Sequence, residues 1–124
     1  MTIAIVVLCL LWAVTIPTYW ILWTRSAPGD EGHPAGYVAH ESAFRLPDLT
    51  LALLLATTAI LALLGIGAMR TTGLVAAGMM LFLGLIDFAY DLANGGKTRE
   101  YIGDALLVTS ACSLVALILI GDAS

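Results

Sequence analysis

Four long apolar segments limit what this chain can fold into. They cover residues 2–23, 47–69, 73–92 and 101–120, and together they take up most of the 124 residues. A helix needs about 20 mainly apolar residues to cross a bilayer, and the segments lack the alternating pattern of transmembrane β-strands. We therefore predict an all-α integral membrane protein, a four-helix bundle whose first partner is the lipid bilayer.

The composition excludes a soluble domain. Hydrophobic residues make up 60% of the chain and charged residues only 11%, whereas about a quarter of the residues of a soluble domain are charged. The spans leave no room for a second domain, so residues 1–124 are predicted to form one transmembrane domain with a long first loop, 24–46. With a net charge of −4 and no basic stripe, nucleic acid is excluded as a partner.

The distribution of Lys and Arg predicts the orientation. Alternating spans place loop 24–46 and loop 93–100 on one face, which we call the loop face, and both termini on the other. The loop face carries Arg25, Arg45, Lys97 and Arg99, and the opposite face carries Arg70. By the positive-inside rule, both loops are cytoplasmic and the termini lie outside, in a plasma or inner membrane. The first segment is expected to be retained, because no basic residue precedes Arg25 as in a cleaved signal.

The third span ends in an acidic face. Asp87, Asp91 and Asn94 lie at i, i+4 and i+7, so they share one side of a helix. A carboxylate inside an apolar helix is costly and commonly marks a functional site. Three roles for Asp87 remain open: a structural hydrogen bond to a neighbouring helix, a pocket or proton and cation relay shared with Asp91, or acid–base catalysis on a lipid-like substrate, for which His40 is the other candidate.

The other helix ends and the loop supply further polar and aromatic groups on the loop face. The predicted ligand-binding residues are Asp87, Asp91, Tyr90, Asn94, Asp48, Trp20, Trp23, His40 and Glu41. Asp48 and the two tryptophans also have simpler structural interpretations. Asp48 would place a carboxylate near the positive end of the second helix, and Trp20 and Trp23 would belong to an interfacial aromatic belt.

No cofactor and no metal site are expected. His33 and His40 are seven residues apart in a loop rich in Gly and Pro, which matches no compact ligand motif. No nucleophile motif is present, so catalytic residues are not assigned. Cys9 and Cys112 fall at similar depths in antiparallel spans, but without a CxxC motif they are interpreted as packing residues.

Small residues predict where helices approach closely. Ala52, Ala56 and Ala59 follow one stripe of the second span, which lets a neighbour approach. A second stripe, interpreted as the packing face of the fourth span, consists of Ala105, Thr109, Ser113 and Ala116. Because four short helices bury little of their own surface, a homo-oligomer or a larger membrane complex is expected.

The sequence therefore favours a binding or accessory module of the membrane. Its acidic and aromatic pocket, centred on Asp87, would bind a cation, a proton or an amphipathic small molecule. Two alternatives remain: a membrane-embedded enzyme or ion-coupled transporter that uses the same acids, and a structural subunit of a larger complex.

Overall fold

A computed structural model describes residues 1–123 of the chain. Its helices are α1 (Thr2–Arg25), α2 (Tyr37–Ala43), α3 (Arg45–Leu63), α4 (Ala68–Asn94) and α5 (Thr98–Ala123). No strand occurs among the described residues, and the four long helices are long and apolar enough to cross a membrane. The predicted all-α membrane four-helix bundle is confirmed. The predicted domain, 1–124, includes Ser124, which lies outside the described residues.

The four long helices form a ring in chain order. Helix α1 packs on α3, α3 on α4 and α4 on α5, and α5 returns to α1 through the slightest of these contacts. Consecutive helices run in opposite directions, as in an up-and-down bundle. The loosest seam of the ring therefore lies between α1 and α5.

The turn between α3 and α4 lies earlier than predicted. The sequence placed it after residue 69, whereas α3 ends at Leu63 and α4 begins at Ala68. Gly65 adopts a φ of +69°, a left-handed conformation that glycine tolerates and that ends the helix. Arg70 therefore lies in the first turn of α4.

Most of the surface of the long helices faces outward. Only 22–33% of the most apolar stretch of each helix is buried, so side chains such as Leu53 and Phe82 remain exposed to the membrane. Both cysteines are free, Cys9 in the core and Cys112 on the surface.

The tightest packing lies where α3, α4 and α5 meet. Gly73 of α4 faces Thr58 of α3 and Ile118 of α5 so closely that an added Cβ would lie 2.5 Å from Ile118 Cδ1. Thr58 is fully buried, and its hydroxyl bonds with that of Thr72 at 3.0 Å. These contacts stabilise the end of the bundle that is opposite the loop face.

One of the two predicted packing stripes is buried. Ala52 and Ala59 lie in the core and Ala56 is half-buried, as expected for α3. The prediction for α5 is wrong, because the four small residues are exposed there. Helix α5 instead turns inward the face that carries Asp104, Ala111, Leu114 and Ile118. These positions follow the spacing of one helix face, and their larger apolar side chains bury more surface than the small stripe would.

The first loop folds over the loop face. Its second part forms α2, and the carboxylate of Asp30 accepts hydrogen bonds from the backbone N–H groups of Gly36 (3.3 Å) and Val38 (2.9 Å). Gly36 has a φ of +82°. These bonds fix the start of α2, which brings His40 and Glu41 above the ends of the spanning helices.

Candidate functional site

Five titratable side chains meet at the loop-face end of the bundle. This group, which we call the Asp87 cluster, consists of Asp87 and Asp91 from α4, Asp104 from α5, and His40 and Glu41 from α2. Asp87 belongs to two triads whose potential ligand atoms all lie within 4.8 Å of one another, one with Asp91 and Asp104, the other with His40 and Glu41. Asp87 is therefore the shared member at the centre.

Asp91 and Asp104 are the most enclosed acids of the cluster. Each is only 5% exposed. The side chain of Asp87 remains 32% exposed. The reason is that Asp91 faces α5, whereas Asp87 lies beside the open α1–α5 seam. Burial of a charged carboxylate is costly unless it is paired or bonded.

Several polar atoms in the cluster and on the adjacent Tyr90 have no hydrogen-bond partner. They include one carboxylate oxygen each of Asp91 and Asp104, the Tyr90 hydroxyl and His40 Nε2, all of them buried. His40 Nε2 lies 3.5 Å from Asp87 Oδ1. Within residues 1–123, this contact is the one ion pair that the cluster forms. Unsatisfied buried polar atoms are uncommon in native proteins, so a bound water, ion, proton or ligand is the natural partner for them.

Aromatic groups orient the cluster. The Tyr19 hydroxyl donates to Glu41 Oε2 at 3.1 Å, and the Tyr101 hydroxyl donates to the backbone carbonyl of Asp91 at 2.9 Å. The His40 ring stacks on Tyr90, with centroids 3.6 Å apart and planes 10° from parallel. These contacts join α1, α2, α4 and α5 at one point.

Two glycines leave room around the acids. At Gly84, one turn before Asp87, an added Cβ would lie 2.9 Å from Val108 Cγ2 of α5, so the missing side chain allows α4 to approach α5. At Gly96, which follows α4, an added Cβ would lie 2.6 Å from Asp91 Cβ. The chain can therefore turn closely over the Asp91 side chain.

Trp20 and Asp48 form a separate pair beside the cluster. Trp20 is 4% exposed, and its Nε1 donates to Asp48 Oδ2 at 3.0 Å. No side-chain cap bond forms at the start of α3, which begins at Arg45 rather than at Pro47. Asp48 nevertheless lies in the first turn of α3, so the predicted carboxylate near the positive helix end is confirmed. The belt interpretation of Trp20 is wrong, because its side chain is buried. The Arg45 guanidinium lies over the rings of Trp20 and Trp23, 5.4 and 5.5 Å from their centroids.

The remaining predicted residues lie at the edge of the site. Asn94 is exposed. Its side-chain amide donates to the backbone carbonyl of Tyr90 at 3.0 Å and so satisfies a carbonyl in the last turn of α4. Trp23 is half-buried and faces the α1–α5 seam. His33 stacks on Tyr37 at 3.8 Å and does not belong to either triad.

The donor atoms of the cluster fit three kinds of cation. Carboxylate oxygens alone, as on Asp87, Asp91 and Asp104, suit Mg²⁺, Ca²⁺ or Mn²⁺. Addition of an imidazole, as in the triad with His40, suits Zn²⁺ or a similar ion. An organic ammonium group would be held by the same carboxylates through charge-assisted hydrogen bonds.

A cleft of about 590 Å³ opens along the seam between α1 and α5 and reaches the cluster. Its walls are Trp12, Thr15, Tyr19 and Trp23 on one side and Gly103, Asp104, Leu106 and Leu107 on the other. Asp87 and Glu41 lie at its loop-face end. A smaller cavity of about 170 Å³ continues from it toward Ile16 and Leu51. We call this space the α1–α5 cleft.

The predicted ligand-binding residues did not include Asp104, Tyr19 or Trp12, although Asp104 and Tyr19 were among the polar and aromatic groups expected at the loop-face ends of the spans. Asp104 belongs to the loop-face end of the fourth span, but the exposed small stripe was taken as the inner face of that helix. The apolar spacing of Ala111, Leu114 and Ile118 after Asp104 is the signal that would have turned its side chain inward. No comparable signal marks Trp12, since its role depends on the gap between two helices.

No family model, no curated protein and no solved structure matches the chain. The function is therefore inferred from the geometry of the site.

Proposed function

We propose that this protein is a small membrane module that binds a cation at the Asp87 cluster. The observation that carries the proposal is the pair of buried carboxylates, Asp91 and Asp104. Each is 5% exposed and has an oxygen without a hydrogen-bond partner, and both lie within 4.8 Å of the Asp87 carboxylate.

The charge balance supports a cation rather than a neutral ligand. Three carboxylates so close together repel one another unless a proton or a cation offsets part of their charge. In the described part of the chain, His40 is the basic side chain that pairs with this group. Arg45, the basic side chain at the start of α3, stacks on indole rings instead. A cationic ligand would relieve the repulsion and satisfy the free oxygens.

The relay and enzyme alternatives use the same atoms. His40 Nε2 and Asp87 Oδ1, 3.5 Å apart, are close enough to exchange a proton through one water. A cation site needs nothing beyond the geometry described, whereas catalysis also needs a substrate pose. Catalysis and transport therefore stay alternative predictions, as does the cytoplasmic placement of both loops.

Thermal stability of the purified protein in a neutral detergent tests the proposal. Wild type and Asp87→Asn would be heated alone and with Mg²⁺, Ca²⁺, Mn²⁺, Zn²⁺ or methylammonium. We expect at least one of these cations to raise the melting temperature of wild type in a saturable way. A ligand at a hundred times its dissociation constant stabilises by about 2.7 kcal/mol. Asp87→Asn should lose this response, because its amide is uncharged.

Glu31→Gln is the matched control. Glu31 is an exposed acid of the same loop face, so its loss removes one charge without touching the cluster and should leave the response intact. Without added cation, Asp87→Asn should be at least as stable as wild type, because it removes one of the repelling charges. A clearly less stable Asn variant would show that Asp87 is part of the scaffold. A wild type that no cation stabilises would refute cation binding.

A second candidate, a subunit of an oligomer, is favoured by the exposed stripe on α5. Cys112 is exposed on the same side of the helix as Thr109 and Ala116. If two copies pair through this face, mild oxidation in membranes should link them through Cys112, and Cys112→Ser should abolish the link. A chain that remains monomeric under oxidation argues against this arrangement.

A further inference from the structure

We infer that the cation is the head group of an amphipathic amine whose hydrocarbon tail lies in the α1–α5 cleft. This inference rests on the proposed function and adds the class of ligand. It starts from the position of Asp104, which is both a wall of the cleft and a buried acid with a free carboxylate oxygen.

The cleft is polarised along its length. At the loop-face end it is lined by four carboxylates, those of Glu41, Asp87, Glu100 and Asp104, and by one guanidinium, that of Arg99. Deeper in the membrane its lining changes to aromatic and aliphatic side chains such as Trp12 and Leu107. An amine with an alkyl chain has the complementary distribution of charge and apolar surface.

The dimensions fit a single chain. A volume of about 590 Å³ falls within the range of small-molecule sites, roughly 300–1,000 Å³. Trp12 and Trp23 both line the cleft and lie eleven positions apart on α1, which corresponds to about 16 Å along the helix. That length accommodates an extended decyl or dodecyl chain.

The cleft is accessible from the side. Tyr19 is 45% exposed and Leu106 is 57% exposed, so an alkyl chain can enter from the bilayer between two helices that contact each other only slightly. A phospholipid is a poorer fit, because its phosphate would lie against the four carboxylates. The ligand class is therefore a single-chain amine without a phosphate.

Quenching of tryptophan fluorescence tests the inference. The chain has three tryptophans, Trp12, Trp20 and Trp23, and the first and last line the cleft, whereas Trp20 is buried on Asp48. Purified protein in a neutral detergent would be titrated with ω-bromodecylamine, whose bromine quenches indole on contact. Parallel titrations would use ω-bromodecanol and ω-bromodecanoate.

We expect saturable quenching by the amine, with the alcohol and the carboxylate at least tenfold weaker. The double variant Trp12→Phe and Trp23→Phe keeps apolar walls and should lose most of the quenching. Asp87→Asn should weaken the amine at least tenfold, while Glu31→Gln should not. The comparison of amine with alcohol needs no variant, so it holds even if a variant folds poorly.

Each other outcome overturns a defined part of the reasoning. Equal quenching by amine and alcohol would mean that the cleft takes any alkyl chain, and the inference fails. If the amine does not quench but an inorganic cation stabilises wild type, the proposed function stands and the amphipathic ligand is rejected. If neither happens, both fail.

Discussion

Replacement of Gly73 by Ala tests how closely α3, α4 and α5 meet. The added Cβ would lie 2.5 Å from Ile118 Cδ1 and 3.2 Å from Thr58 Cγ2. Non-bonded carbons normally lie about 3.5–4.0 Å apart, so the new methyl group would overlap Ile118 by about 1 Å. Ile118 is 2% exposed and Thr58 is fully buried, so either side chain would have to shift within the core to make room for the new methyl group.

The expected magnitude follows from two opposing terms. Overpacking of a filled core costs about 1–3 kcal/mol, while Ala favours a helix over Gly by about 1 kcal/mol. Gly78→Ala, in the same helix, is the matched control, because Gly78 is exposed and an added Cβ there meets nothing within 4 Å. Both variants gain the same helix propensity from the change of Gly to Ala, so this contribution cancels when they are compared. The free energy of unfolding should therefore be lower for Gly73→Ala than for Gly78→Ala by about 1–3 kcal/mol.

Reversible unfolding in mixed micelles with SDS, followed by circular dichroism, measures this difference. Wild type should lie between the two variants or close to Gly73→Ala. If Gly73→Ala is as stable as Gly78→Ala, the three helices are farther apart than described. The packing argument for this half of the bundle would then be wrong.

Two further predictions concern polar contacts. Asp30→Ala should release the start of α2 at a cost of about 1 kcal/mol, seen as faster hydrogen exchange of the Val38 amide, and Glu31→Ala should leave that exchange unchanged. Trp20→Phe should lower the free energy of unfolding by about 1.5–3 kcal/mol, because Asp48 loses its hydrogen-bond donor. Asp48→Asn should lose less, since its amide oxygen can still accept the indole N–H. An equal loss in both variants would contradict the importance of that bond.

The sequence alone predicted the class of fold because length and hydropathy are sufficient for it. A run of about 20 apolar residues has few alternatives to a membrane helix, and four such runs predict a bundle. The ends of the helices were predicted less accurately. The turn around Gly65 was placed several residues too late, because both Gly65 and Gly73 can end a helix, and packing against α5 decided that Gly73 lies inside one.

Part of the candidate site also followed from the sequence. The spacing of Asp87 and Asp91 placed both on one side of α4. Two spans, α3 and α4, separate these acids from α2, and this even number of crossings placed His40 and Glu41 at the same end of the bundle. These inferences use only helix geometry and the alternation of spans. They required no knowledge of how the helices pack.

Tertiary structure decided which of these groups meet. Periodicity gives the faces of a helix but not its rotation about its own axis when most of its residues are apolar, as in α5. Rotation of α5 turned Asp104 inward and left the small stripe on the surface, which made Asp91 a buried acid. The α1–α5 cleft likewise arises from a gap between helices far apart in sequence, a property of the packed bundle that no local pattern encodes.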